Sequence, residues 1–163
     1  MQISELMIPE FEREAAMTRS LLARVPSDKL AWTPGSGLKS IGWNAQHLAE
    51  IVGWAPMIVG QDELDLAPPG GPAYTPPPPA TDVGQILKVF DENLPKSVAA
   101  LRGVPDAVMD QPWTMKMGGH TIFTMKKGDC LRKWMFAHAA HHRGILSVYL
   151  RMAGVKIGSI YEE

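Results

Sequence analysis

Three of the five histidines in this 163-residue chain stand where a helix would turn them inward. His138 and His142 are four residues apart within WMFAHAAHHRGILSVYLR, residues 134–151. On an α-helix that separation puts two side chains on one face, about 40° apart around the axis. Leu131, Met135, His138, His142, Ile145, Tyr149 and Met152 follow at intervals of 4, 3, 4, 3, 4 and 3, the spacing of a core seam. Two imidazoles thus take positions that a packed helix normally gives to Leu or Ile. His47 heads a second such line with Ile51, Trp54 and Ile58. A buried polar group without a partner is costly, and one shared divalent cation would satisfy all three rings. Three neutral nitrogen donors suit Zn²⁺, Ni²⁺, Fe²⁺ or Co²⁺ and leave positions open for water or a substrate. The plainer alternative is a set of hydrogen-bonded core histidines. Convergence of the three rings separates the two readings.

Other residues near these positions bear on the chemistry. Glu50 lies one turn beyond His47 and could accept a hydrogen bond from an imidazole or hold water. His141 offers an i, i+3 pairing in place of His142, but it falls off the seam and reads as a flanking residue at the site mouth. Arg143 could meet an anionic substrate or a carboxylate on another helix. Trp43 and Trp54 are candidate pocket walls, and His120, beside Gly118-Gly119, is a weaker candidate for the mouth. Cys130 precedes His138 by eight residues, more than about 10 Å along a helix, and reads as packing. The chain has no Glu-x-x-His pair with inward glutamates, so a ferritin-like di-iron site is not expected. No catalytic residue is assigned.

Four helices must position these side chains. Helical spacing predicts the first over 4–25, with Ser4 as N-cap, Pro9 early in it and Pro26 ending it. The second runs from Ser40, as N-cap, to about Val59, kinked at Pro56. Residues 60–80 hold seven of the fourteen prolines and predict an extended crossover of polyproline character. The third helix starts near Thr81 or Asp82 and bends at Pro95. The fragments 113–117 and 121–123, flanking Gly118-Gly119, are able to pair as a short hairpin. The fourth helix begins between Thr124 and Asp129 and ends at Gly154, with 155–163 as a surface coil. The expected fold is all-α: a four-helix bundle with a long crossover between the second and third helices, in a single domain over 1–163.

Composition narrows the class further. The 45% hydrophobic content supports one substantial core, and the formal charge of −1, without blocks of like charge, gives no nucleic-acid footprint. No run of about 18 apolar residues exists to span a membrane. The first residues, MQISELMIPEFERE, carry neither a basic lead nor a long apolar run, so no signal peptide is expected. The single cysteine permits no internal disulfide and fits a reducing, cytoplasmic setting.

The run His138-Ala-Ala-His141-His142-Arg143-Gly144, continued through Arg151, Gly154-Val155 and Ser159-Ile160-Tyr161, closely resembles the C-terminal helix of the DinB family. These are damage-inducible, metal-binding four-helix bundles, distinct from the polymerase that shares the name. The likeness extends to Trp32-Thr33-Pro34, to Ser40-Ile41-Gly42-Trp43 leading into His47, and to residues 113–123. It implies a homodimer, a small-molecule substrate, a stress-response setting and a divalent metal held by His47, His138 and His142. It also implies a low-molecular-weight thiol activated by that metal, as in thiol-dependent S-transferases; water in its place would give a hydrolase, and a non-catalytic metal-binding bundle is the third possibility. Ile145 departs from the family, which often has Gln there.

Overall fold

Apolar residues at three- and four-residue intervals wind the first segment into α1, Ile3–Leu22, whose buried face includes Met7, Phe11, Leu21 and Leu22. In this computed structural model, which describes residues 1–161, Ser4 lies inside α1 and is not its cap. Tertiary partners replace a local cap: the Asp106 carboxylate accepts from the Ile3 N–H at 2.7 Å, and the Ser4 hydroxyl donates to the Val104 carbonyl at 2.9 Å. Ser40 does cap α2, Ile41–Ile51, accepting from the Trp43 N–H at 3.1 Å.

The single second helix expected to reach Val59 is two helices. The chain breaks at Val52–Trp54 and restarts as α3, Ala55–Gly60, with Pro56 in its first turn. Gly53 sits in the break because Asn93 of the next long helix comes so close that a Cβ would stand 2.7 Å from its amide carbon. Asn93 uses that closeness to donate to the Ala49 carbonyl at 3.0 Å. Strand β1, Glu63–Asp65, follows. Then comes the proline-rich crossover to α4, Val83–Leu101, capped by Asp82 through the Gln85 N–H.

A short α5, Asp106–Met109, leads to β2, Pro112–Met117, and β3, His120–Lys126. The strand order is β1-β2-β3, with β1 parallel to β2 and β2 antiparallel to β3. Gly118 and Gly119, at φ of 61° and 80°, make the two-residue connection that a left-handed turn requires. The last helical region is not uniform. It comprises α6, Lys127–Leu131, a π-helical stretch, Arg132–Ala137, and α7, His138–Met152.

The chain is therefore mostly helical with a small three-stranded sheet, and the all-α expectation is corrected by that sheet. α1 and α2 each pack against both α4 and α7. Fully buried Leu22, Ile41, Ile51, Phe90, Leu101, Leu131 and Leu146 fill the space between them, each stabilising the fold by about 1.5–3 kcal/mol. Among the described residues no helix is long and apolar enough to cross a membrane. Of the expected C-terminal coil, Glu162 and Glu163 lie outside the described residues.

Candidate metal centre

The packing of α2 against α7 brings His47 opposite His138 and His142. One ring nitrogen from each lies within 4.8 Å of the others. The Nε2 atoms of His138 and His142 are 2.9 Å apart, and those of His47 and His138 are 3.4 Å apart. Two nitrogens bound to one tetrahedral zinc ion, each at about 2.0–2.1 Å, stand about 3.3 Å from each other. The two shorter separations thus bracket the spacing expected around one ion. Without a cation, neutral imidazoles this close must share protons between nitrogens that all present the same edge.

Asn44 fixes which nitrogen His142 presents. Its amide nitrogen donates to the Ser40 carbonyl at 2.9 Å, which turns Oδ1 toward His142 Nδ1, also at 2.9 Å. The acceptor keeps the proton on Nδ1 and leaves the Nε2 lone pair facing the cluster. Asn44 is 1% exposed, so this contact is sheltered from water. Glu50 stands similarly behind His47, with Oε2 3.6 Å from Nδ1. His138 Nδ1 is buried without a partner in full hydrogen-bond geometry, and the Trp134 carbonyl nearby only partly favours its protonated form.

Three tryptophans surround the imidazoles. Trp43 stacks on His47, with centroids 4.7 Å apart, and meets His142 edge-on. Trp54 sets its ring against His47 and His138, and Trp134 closes on His138 at 5.5 Å. This enclosure shields the rings in part: His142 is buried, while His47 and His138 are half-buried and border the cleft. Burial first, and the proximity of His47 second, lower the pKa of both His138 and His142 to about 4. Both are neutral at pH 7 and keep lone pairs free for a metal.

The other residues singled out from the sequence divide. Trp43, Trp54 and Glu50 line a cleft of about 1160 Å³ that reaches His47 and His138. His141 is exposed and touches only the edge of His142 among the cluster rings, 5.0 Å between centroids. His120 is exposed at the start of β3 and does not line the cleft. Of the two readings of Arg143, the structure shows the carboxylate on another helix and not the pocket: one position after His142, it points to α1. There it donates to the Glu14 carboxylate, the Glu14 carbonyl and the Thr18 hydroxyl. Cys130 is buried, and burial pushes its thiol up to about 11, so it is protonated at neutral pH. Asn44 and Trp134 were not evident beforehand. The available signal for Asn44 was its place three residues before His47, on the inward line that continues to Leu48 and Ile51.

Two solved structures share this fold. A DinB-like protein from Bacillus cereus aligns with a TM-score of 0.67 at 21% identity, covering 94% of each chain. A DinB-like protein from Bacillus subtilis aligns with a TM-score of 0.69 at 19% identity, covering 97% of this chain and 99% of that one. Comparison with curated proteins finds no match. The DinB superfamily matches residues 10–146, most of the length, and the chain belongs to that superfamily.

Proposed function

We propose that His47, His138 and His142 hold one divalent ion of the zinc, nickel or iron class. In this reading the chain is a metal-dependent enzyme with a thiol-dependent S-transferase-like activity on a small molecule bound in the adjoining cleft. The observation that carries the reading is the convergence of three ring nitrogens within 4.8 Å, two of them on imidazoles, His138 and His142, that are neutral at pH 7. A metal held there would act as a Lewis acid, lowering the pKa of a thiol or a water molecule.

The protein's own groups do the rest. Asn44 orients one of the three ligands, Glu50 stands beside a second, and the Trp43, Trp54 and Trp134 rings pack around them. Glu50, on the cleft wall beside His47, is placed to take a proton at its carboxylate oxygens from an entering thiol or water. The chain supplies no thiolate of its own near the site, because the Cys130 thiol stays protonated. A nucleophile must then arrive from solution, as an external thiol or as water. The helices α1, α2, α4 and α7 are read as a four-helix bundle, working as a homodimer in the cytoplasm. The exposed pair Val148 and Met152 on α7 supports association of two copies.

Reconstitution with zinc or nickel followed by metal analysis tests the site: one ion per chain is expected, and none for His47→Ala. Full metal retention in that variant would overturn the assignment. Conjugation of a thiol to an electrophile by the loaded protein supports the transferase reading. Ester hydrolysis without conjugation would assign a hydrolase instead, and silence in both assays would favour a non-catalytic metal-binding bundle. Light scattering on the purified protein checks the dimer.

A further inference from the structure

The cleft beside the histidines has a definite chemical character. Its volume of about 1160 Å³ exceeds the usual range for a drug-sized ligand, about 300–1,000 Å³. Room therefore exists for two small molecules side by side. Four of the five tryptophans line it, with Tyr74 and the prolines of the crossover at one side and Met57, Met115 and Phe123 at another.

Its charge is one-sided. No Lys or Arg lines the cleft among the described residues, whereas the carboxylates of Glu50 and Asp28 do. Lys39 and Lys133 lie against the rings of Trp43 and Trp134, yet neither lines the cleft. Glu50's field reaches across to Tyr74 and helps raise its phenol pKa, after burial. Away from the histidines, an anion on these walls would lose its hydration, meet no Lys or Arg and face a carboxylate. The Glu50 charge is not offset by its neighbours, the Gln46 amide at 3.4 Å and His47 at 3.6 Å. Apolar and aromatic groups, by contrast, gain from the burial of their own surface and from stacking on the indoles.

We propose that the cleft binds a largely apolar molecule carrying an aromatic or extended hydrocarbon body, and that its walls discriminate against anionic ones. The inference rests on reading the cleft as the substrate side of the histidine site, and it narrows that reading. The electrophile is an apolar compound without negative charge, and a thiol whose negative charge lies away from its sulfur is a poor occupant of these walls.

A matched pair of fluorescent probes tests this on the whole, metal-free chain: neutral N-phenyl-1-naphthylamine and its anionic relative 1-anilinonaphthalene-8-sulfonate. Energy transfer from the cleft tryptophans reports binding without any need for activity. The neutral probe is expected to saturate at one site, and the anionic probe to bind at least about tenfold more weakly, a difference of about 1.4 kcal/mol. Met57→Trp, which fills the cleft, should weaken the neutral probe at least about fivefold. Tyr74→Lys, at an exposed rim position, should narrow the gap by improving the anionic probe several-fold. Equal or tighter anionic binding overturns the proposal, as does neutral-probe binding indifferent to both substitutions. Should Met57→Trp fail to fold, Tyr74→Lys decides alone. A parallel zinc titration keeps the two readings apart. Probe discrimination without zinc binding sinks the metal centre only, and zinc binding without discrimination sinks this inference only.

Discussion

His142 can offer Nε2 to a metal only while Nδ1 carries the proton, and Asn44 Oδ1, 2.9 Å away and itself held by Ser40, keeps it there. Asn44→Leu preserves volume and removes the acceptor. Zinc affinity is expected to fall about 10–100-fold, and nitrogen NMR of the metal-free protein should show less of the Nδ1-protonated tautomer. Asn44→Asp, which can still accept, should restore both, and an unchanged tautomer in the leucine variant would exclude the positioning role. Acid sensitivity follows from the same rings. His138 and His142 have folded pKa values of about 4 against an ordinary 6.5. The unfolded chain therefore takes up protons first as pH falls, so stability present above about 6.5 is lost progressively down to about 4. The melting midpoint of metal-free protein should drop across that window, and the double variant His138→Leu with His142→Leu should flatten the slope. Asp65 and Asp91, held below the usual carboxylate range by hydrogen bonds, contribute their losses at lower pH. At this scale the three histidines were legible because apolar neighbours betray an inward position. Asn44 was not, because its partner is defined only once two distant helices meet.

The seam that led to the histidines holds as far as His142 and then drifts. Ile145 and Tyr149 are half-buried and Met152 is exposed, while Leu146, Ser147 and Leu150 are buried in their place. The spacing follows a strict seven-residue repeat, which drifts by about 20° per heptad on a straight α-helix such as α7; ahead of it, Arg132–Ala137 is π-helical. The stretch sets the rotation at which His138 begins α7. Inserting one alanine between Ala137 and His138 should rotate α7 by about 100° relative to α6. Helical content by circular dichroism should persist while zinc affinity falls at least about a hundredfold; retention of tight binding would show that this rotation does not position the ligands. A second tie fixes α7 against α1: buried Arg143 donates to Glu14 and Thr18. Glu14→Ala leaves the guanidinium without its counter-charge. Because Glu14 is about one-third exposed, the cost should be near 2 kcal/mol in a denaturant titration and not the full buried-pair penalty, with zinc affinity unchanged.

At the scale of the molecule, the helices carry the histidines and the crossover and sheet close the far side of the cleft. The prolines made an extended crossover after the second helical region readable from composition. Strand β1 was not readable: three residues, Glu63–Asp65, show no useful alternation, and they pair in parallel with Thr114–Lys116, far along the chain. Non-local pairing of so short a strand leaves no periodic trace. That pairing places Asp65 where it fastens the crossover to the β2–β3 turn. Its carboxylate accepts from Ala67 N–H at 2.9 Å, from Gly118 N–H at 3.0 Å and from Gly119 N–H at 2.7 Å. Gln46 holds the other end, accepting from the Ala80 N–H and donating to the Pro78 carbonyl. The walls of the cleft that carry Tyr74 and the prolines hang between these two points, with few apolar contacts to the core. Such a segment should open locally at a lower free energy than the helices that hold the histidines. Asp65→Ala removes three hydrogen bonds at a half-buried position at the sheet's edge, so the global melting transition should move little, by about 1 kcal/mol. Amide exchange at Gly118 and Gly119 and proteolytic cleavage within 67–80 should both speed up at least several-fold, and zinc affinity should stay at the wild-type value. If exchange and cleavage are unchanged, the crossover is held by its packing and Asp65 is not its clamp. If zinc affinity falls with them, cleft and histidine cluster move as one unit, and the division between a fixed metal centre and a separately fastened cleft wall fails.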